Sequence, residues 1–226
     1  MLDLKRLQRN LGYEFRDESL LVQSLTHRSA GARNNERLEF LGDAILGFEI
    51  AENLYREHPN ASEGELSRAR AQLVKRETLA AVARRLELGD YLVLGAGELR
   101  SGGQSRDSIL SDAVEAIIAA VFVDADMESA RALVRRILRK EILEISPEAQ
   151  PKDAKTRLQE YLQAQGKSLP VYQVVSIEGS AHEQRFVVEC RVESLGVTEQ
   201  GEGASRRKAE QQAAYRALAK TGASDS

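Results

Sequence analysis

The sequence contains very little of what several classes of protein depend on. Its 226 residues include a single cysteine, Cys190, and no tryptophan. One cysteine excludes an internal disulfide and a cysteine metal cluster, which fits a protein of a reducing compartment. We expect the Cys190 side chain to be packed in a hydrophobic core. Residues 1–11 mix charged residues with leucines and lack the apolar run of a signal peptide, and no later run approaches the roughly 20 apolar residues of a membrane span. We therefore expect a cytoplasmic protein without a membrane partner.

A large excess of positive charge is also missing, because 32 lysines and arginines face 35 aspartates and glutamates, for a net charge of −3. The balance differs along the chain. Residues 152–220 contain 11 basic and 9 acidic residues, whereas residues 1–151 contain 21 and 25. A mean over the chain can conceal a basic face, and the sign of this difference places any such face in the tail.

The hydrophobic pattern changes once along the chain. Residues 1–145 show apolar residues at helical spacing, which predicts an all-α domain. Residues 146–153 are mostly polar with two prolines, which predicts a flexible linker. Residues 154–222 begin and end with helical spacing, with period-two stretches between, which predicts a small α-β-β-β-α domain. Its third strand is expected around 195–200, before Gly201 and Gly203. The expected fold class is therefore multidomain.

A run of acidic residues at 36–43 is the most informative local feature. On a helix, Glu36, Glu39 and Asp43 are spaced i, i+3 and i+7 and form one stripe, while Leu38 and Ile45 belong to the opposite face. Like charges at this spacing destabilise a bare helix by a few tenths of a kcal/mol per pair, on the order measured in model helices. A bound divalent cation would reverse that effect.

A second acidic pair lies within an apolar run at 108–122, which predicts a central core helix. Asp112 and Glu115 are its only charged residues, and they share a face at i, i+3. Buried carboxylates need a metal, an arginine or hydrogen-bond donors, since burial of an unpaired charge costs several kcal/mol. Two such helices side by side would build an all-oxygen site suited to Mg²⁺ or Mn²⁺.

Two other interpretations of these acids remain open. Acidic residues three or four apart usually mark a solvated helix face. The presence of two such runs in one chain weakens that interpretation. Nearby cations could instead pair with the acids structurally, and the candidates are Arg37, Arg68 and Arg70.

The run Asn35-Glu36-Arg37-Leu38-Glu39-Phe40-Leu41-Gly42-Asp43 resembles the signature of the bacterial ribonuclease III family. The resemblance continues through residues 64–68, 97–103 and 112–116 and the whole tail. It implies a helical endonuclease domain that dimerises and cuts both strands of an RNA duplex, with Phe40, Leu41 and Leu46 as apolar positions available for a dimer surface. The implied products have 5′-phosphate and 3′-hydroxyl ends with a short 3′ overhang.

Matched position by position, the resemblance also implies the site residues. The metal-binding carboxylates would be Glu39, Asp43, Asp112 and Glu115, with Asp43 and Glu115 the most critical for catalysis. Glu36 and Glu63 match acidic positions that line the cleavage valley. The implied cofactor is Mg²⁺, with Mn²⁺ as a substitute and without a small organic cofactor.

The tail resembles the double-stranded RNA-binding domain, which recognises duplex shape through 2′-hydroxyls and phosphates. Gln159, Glu160 and Gln163 on its first helix match positions that meet a minor groove, and His182 matches the position that probes the next one. The last helix begins with Ser205 as a predicted N-cap, followed by three cations that oppose the helix dipole unless RNA phosphates supply the compensating charge. These cations are Arg206, Arg207 and Lys208.

The sequence is compatible with three functions. The endonuclease, with ribosomal RNA precursors and structured messenger RNA as the implied substrates, is favoured by the intact acidic set. A non-catalytic duplex-RNA-binding protein would keep the fold without the chemistry. A phosphohydrolase acting on small nucleotides would leave the tail unexplained.

Overall fold

The computed structural model describes residues 3–147, 154–179 and 184–221. The chain divides into two compact units, one within residues 1–150 and the other within residues 151–226. This division falls inside the predicted linker at 146–153, most of which lies outside the described residues, so the domain bounds stay predictions. In the described parts of the chain, no helix is long and apolar enough to cross a lipid bilayer.

Helices build the first unit, as the periodicity predicted. An isolated parallel bridge between Thr26 and Val93 is the exception among its described residues. Short 3₁₀ turns lie at Leu88–Tyr91 and Gly103–Ser105. The helices in chain order are α1 (Leu4–Leu11), α2 (Glu18–Ser24), α3 (Glu36–Glu57), α4 (Glu63–Val74), α5 (Arg76–Arg85), α6 (Ala96–Arg100), α7 (Asp107–Asp124), α8 (Met127–Ile137) and α9 (Arg139–Glu144).

Several of these helices begin at side-chain caps that the sequence supplies. The carboxylates of Asp3 and Asp126 accept hydrogen bonds from backbone N–H groups in the first turns of α1 and α8. Ser62 and Glu65 form a reciprocal capping box at the start of α4. Each cap satisfies N–H groups that have no partner within the helix, which is worth about 1 kcal/mol.

The core of the first unit is organised around α7, as its apolar run predicted. Nearly all of its residues from Ile109 to Val121 are buried, with α2, α3, α5 and α8 packed around it. On α3, Leu46 is fully buried in this core, so the expectation that it offers a dimer surface is wrong. Phe40 is different, because its side chain is 82% exposed.

The second unit has the predicted α-β-β-β-α order. It consists of α10 (Ala154–Ala164), an antiparallel sheet in the order β1 (Val171–Glu178), β2 (Arg185–Val192) and β3 (Val197–Gly203), and α11 (Arg206–Thr221). Its core includes Leu158, Leu162 and Cys190. Cys190 is fully buried, and burial raises the pKa of its thiol, so the expected core filler is confirmed.

One boundary in this unit differs from the prediction. The third strand is predicted around 195–200, before Gly201 and Gly203, but β3 continues to Gly203. A Cβ atom added to Gly201 would lie 2.2 Å from the backbone nitrogen of Ala213 in α11. The glycine therefore lets the helix pack directly on the strand, a tertiary requirement that periodicity does not reveal.

Candidate active site

The four predicted metal-binding carboxylates of the first unit lie near the crossing of α3 and α7. At the crossing, a Cβ atom added to Gly42 would lie 1.8 Å from the backbone carbonyl oxygen of Glu115. Only glycine permits so close an approach of the two helices. The approach brings the carboxylates of α7 beside those of α3.

Three of the predicted metal ligands come together at this crossing. One carboxylate oxygen from each of Glu39, Asp112 and Glu115 lies within 4.8 Å of the other two, and all three residues are partly buried. Oxygens that share one Mg²⁺ ion lie up to about 4 Å apart, so the cluster is close to the spread of a shared cation. The fourth, Asp43, lies one turn beyond Glu39 on α3 and is exposed, outside this cluster.

The cluster is electrostatically strained without a cation. Burial, together with the charges of Asp43, Asp112 and Glu39, raises the pKa of Glu115 to about 8. Burial also raises the pKa of Glu39 and of Asp112, the latter despite a hydrogen bond from the Ser111 hydroxyl. Among the described residues, no hydrogen-bond donor offsets the burial of Glu115. A divalent cation fits this donor set, because its charge would favour the ionised carboxylates.

The raised pKa of Glu115 predicts that the metal-free protein loses stability as the pH rises. An ordinary glutamate titrates near 4.5 and folded Glu115 near 8, so the folded chain binds more protons between these values and its stability falls across them. We expect the melting temperature in EDTA to drop from pH 5 to pH 8 by roughly 5 °C more in the native chain than in Glu115→Gln. Calorimetry measures this, and equal slopes for the two proteins would contradict it.

A cavity of about 450 Å³ opens beside the cluster and is lined by Glu39 and Asp112. Glu36 also lines it, and an oxygen of its carboxylate lies 3.6 Å from a guanidinium nitrogen of Arg28. Glu63 is placed differently. It is exposed at the start of α4, where it accepts a hydrogen bond of 2.7 Å from the Ser67 hydroxyl, and it lines neither the cavity nor the cluster.

The cations near the carboxylates are not the ones expected from the sequence. Among the described residues, Arg37, Arg68 and Arg70 make no ion pair with the cluster. Instead, Arg28 and Arg76 lie close enough to oppose the rise in the pKa of Asp112.

Sequence reasoning missed Arg28 because it lies in a loop far along the chain from α7. The backbone N–H of Asn35, the N-cap of α3, donates to the Thr26 carbonyl at 2.9 Å and draws this loop to the site. That hydrogen bond has no sequence signature.

The predicted RNA-binding residues of the tail fall into two groups. Gln159, Arg206 and Arg207 line a recess of about 720 Å³ between α10 and α11. Glu160 and Gln163 are exposed on α10 outside that recess, and Lys208 is exposed on α11. His182 lies outside the described residues.

The start of α11 is organised by two polar residues. The Ser205 hydroxyl accepts a hydrogen bond from the Lys208 backbone N–H at 3.3 Å, in keeping with its predicted role as N-cap. One turn further along α11, the carboxylate of buried Glu210 forms ion pairs with Lys155 Nζ at 2.7 Å and with Arg206 Nε at 2.8 Å. These ion pairs lower the pKa of Glu210 against the effect of its burial. The pair with Lys155 joins α10 to α11, whereas the pair with Arg206 lies within α11.

Comparison with known proteins places both units. Residues 17–142 match the family model described as Ribonuclease-III-like, and residues 154–221 match the double-stranded RNA binding motif. Proteins named Ribonuclease 3 from Pasteurella multocida and Shewanella denitrificans are each 56% identical over 216 residues, covering 96% of both chains. The crystal structure of the nuclease domain of ribonuclease III from Campylobacter jejuni superposes with a TM-score of 0.62 at 41% identity, covering 65% of this chain and all of that one.

The fold and the site therefore define a helical nuclease domain joined to a double-stranded RNA-binding domain. Relatives of this similarity cover nearly the full length of the sequence. The chain belongs to the ribonuclease III family.

Proposed function

We propose that this chain is a Mg²⁺-dependent endoribonuclease that hydrolyses phosphodiester bonds of double-stranded RNA. Its products would have 5′-phosphate and 3′-hydroxyl ends with short 3′ overhangs. The observation that carries the proposal is the convergence of oxygens from Glu39, Asp112 and Glu115 within 4.8 Å at the crossing of α3 and α7. The double-stranded RNA binding motif in the same chain supports the choice of substrate.

The proposed metal ligands are Glu39, Asp112 and Glu115, with Asp43 completing the set from its exposed position on α3. The bound ion would activate water and offset charge on the phosphate. Without the ion, Glu115 would hold a proton near neutral pH, since its pKa is about 8. Binding of the ion would therefore release that proton. Glu36 and Glu63 remain proposed contributors to the cleavage valley.

In the second unit, the proposed RNA-binding residues present two kinds of contact. Gln159, Glu160 and Gln163 would meet the minor groove from α10, with His182 proposed for the next groove. Ser205, Arg206, Arg207 and Lys208 would meet phosphates at the start of α11, where free N–H groups and side-chain cations act together.

Replacing the three cations of α11 by glutamine is expected to weaken duplex binding roughly 10- to 100-fold near physiological salt. Each lost phosphate contact should also lower the slope of log affinity against log salt by about 1. Titrations in EDTA over a series of KCl concentrations measure both quantities. Lys220→Gln, at the opposite end of the same helix, is the matched control and should change neither. An unchanged slope in the triple variant would place the RNA elsewhere.

A homodimer is proposed, with α3 at its interface. Phe40, Phe48 and Tyr55 on this helix are 82%, 54% and 73% exposed. Their spacing of eight and seven residues places them on one helix face, and an exposed apolar patch often marks a protein–protein interface. A second structure of the Campylobacter jejuni nuclease domain, 42% identical with a TM-score of 0.60, is described by its flexibility in a region involved in dimer formation. Sedimentation velocity tests the proposal, since a chain of 25.0 kDa should sediment at twice that mass.

The proposed substrates are ribosomal RNA precursors and structured messenger RNA, and the proposed place of action is the cytoplasm. The double-stranded RNA binding motif supports duplex regions as the part of these RNAs that is bound, because such domains recognise duplex shape with little regard for sequence. The buried free thiol of Cys190 agrees with the proposed place of action.

Cleavage of a long perfect RNA duplex tests the function directly. The native chain should cut it in Mg²⁺ or Mn²⁺ and stop when EDTA is added, with the product ends identified by labelling. Binding without cleavage in either metal would instead favour the non-catalytic RNA-binding protein. Cleavage of short nucleotides but not of duplex would favour a small-molecule phosphohydrolase.

A further inference from the structure

Arg28 is held beside the acidic cluster by a loop that is fixed on both sides. The backbone N–H of His27 donates to the Val93 carbonyl at 3.0 Å, and the Ser29 hydroxyl accepts from the Gly95 N–H at 2.9 Å. The side chain of Arg28 is 70% exposed, yet it lines the same cavity as Glu39 and Asp112. A hydrogen-bonded loop backbone thus presents an exposed guanidinium at the mouth of the site.

The other arginine of this cavity is already engaged. Arg106 forms a close ion pair with Glu98, whereas the only ion pair of Arg28 among the described residues is the 3.6 Å contact with Glu36. Charged hydrogen bonds are usually about 2.7–2.9 Å long, so this contact is loose and easily exchanged. Arg28 also acts on the cluster itself, because its charge opposes the raised pKa of both Glu39 and Asp112.

The charges at the site call for a further cation when RNA is bound. Four carboxylates, Glu39, Asp43, Asp112 and Glu115, bring four negative charges, of which one divalent ion offsets two. A phosphodiester entering the cavity adds another. An arginine matches this need, since its planar guanidinium can donate two parallel hydrogen bonds to one phosphate group.

We propose that Arg28 leaves Glu36 and binds a backbone phosphate of the RNA strand being cut, at the mouth of the cavity beside Glu39 and Asp112. This inference rests on the proposed function and adds a substrate-binding residue to it. Its contact with a single phosphate should matter mainly for the reaction, because the double-stranded RNA binding motif lies in the second unit.

The test compares Arg28→Gln with Arg33→Gln in the full-length chain. Arg33 is the matched control, since it lies in the same loop and donates to Gln23 and Ser19 without lining the cavity. We expect Arg28→Gln to lower the single-turnover cleavage rate in saturating Mg²⁺ by roughly 10- to 100-fold, while Arg33→Gln stays within about twofold. Duplex affinity in EDTA should change by less than about threefold in both, and Arg28→Lys should recover part of the rate.

Each other outcome has a definite meaning. Equal rates for Arg28→Gln and Arg33→Gln, with the native chain active, would overturn the inference and leave the proposed function standing. If adding Arg28→Gln to Glu36→Gln lowered the rate no further, Arg28 would act only through that ion pair, which also overturns the inference. A native chain that binds but does not cut would overturn both.

Discussion

Glu115→Gln is expected to abolish cleavage of duplex RNA while leaving duplex binding intact. Glu115 is central to the cluster, with oxygens of Glu39 and Asp112 within 4.8 Å, and it lies at the point where α7 touches α3. Glutamine keeps the size of the side chain but offers a neutral oxygen, which binds Mg²⁺ far more weakly than a carboxylate. A loss of several kcal/mol of transition-state stabilisation corresponds to at least about a 10³-fold lower rate.

The same variant should be more stable than the native chain when metal is absent. The native site holds a partly buried carboxyl group among three other carboxylates, which costs stability as the pH rises toward 8, and glutamine removes that cost. Single-turnover cleavage, duplex binding in EDTA and melting temperature together form the measurement. Glu144→Gln, an exposed carboxylate on α9, is the control and should leave all three unchanged. Residual cleavage within tenfold of the native rate would remove Glu115 from the metal site.

Gly42→Ala is expected to damage both the fold and the site. The added methyl group would lie 1.8 Å from the Glu115 carbonyl oxygen, which is backbone and cannot rotate away. The helices must therefore separate at the centre of the core, at a cost of about 3 kcal/mol or more. Separation also moves Glu115 and Asp112 away from Glu39, so cleavage should fall even at temperatures where the variant stays folded.

A glycine elsewhere provides the comparison. Gly97 in α6 is exposed, and a Cβ atom added to it would meet no other atom within 4 Å. Gly97→Ala should stabilise the chain by roughly 0.5–1 kcal/mol through helix propensity alone. Urea unfolding midpoints for both variants decide the matter, and a Gly42→Ala protein as stable as the native one would mean that the helices do not meet this closely.

The order of elements could be predicted from the sequence because periodicity is a local property. The stripe of Glu36, Glu39 and Asp43 and the pair of Asp112 and Glu115 can be recognised as helix faces from residue spacing alone. Their convergence cannot, since the distance between α3 and α7 depends on a backbone contact at Gly42. Once the helices are placed, Asp43 proves to be more exposed than its predicted importance suggested.

Tertiary contacts account for the remaining differences. Leu46 is an apolar residue that was expected to contribute to a dimer surface, but its side chain is buried in the core around α7. Arg28 carries no motif and reaches the site only because its loop is tied to α3 and to Val93. The extension of β3 to Gly203 follows from the packing of α11, which no window of residues along the strand could indicate.

The buried thiol of Cys190 on β2 can report when the second unit unfolds. Cys190 is the only cysteine among the 226 residues, and it is fully enclosed when the unit is folded. A thiol reagent can therefore reach it only when that unit opens, whatever the nuclease unit is doing. The rate of modification would time the opening of the RNA-binding unit alone, without any label having to be added to the chain.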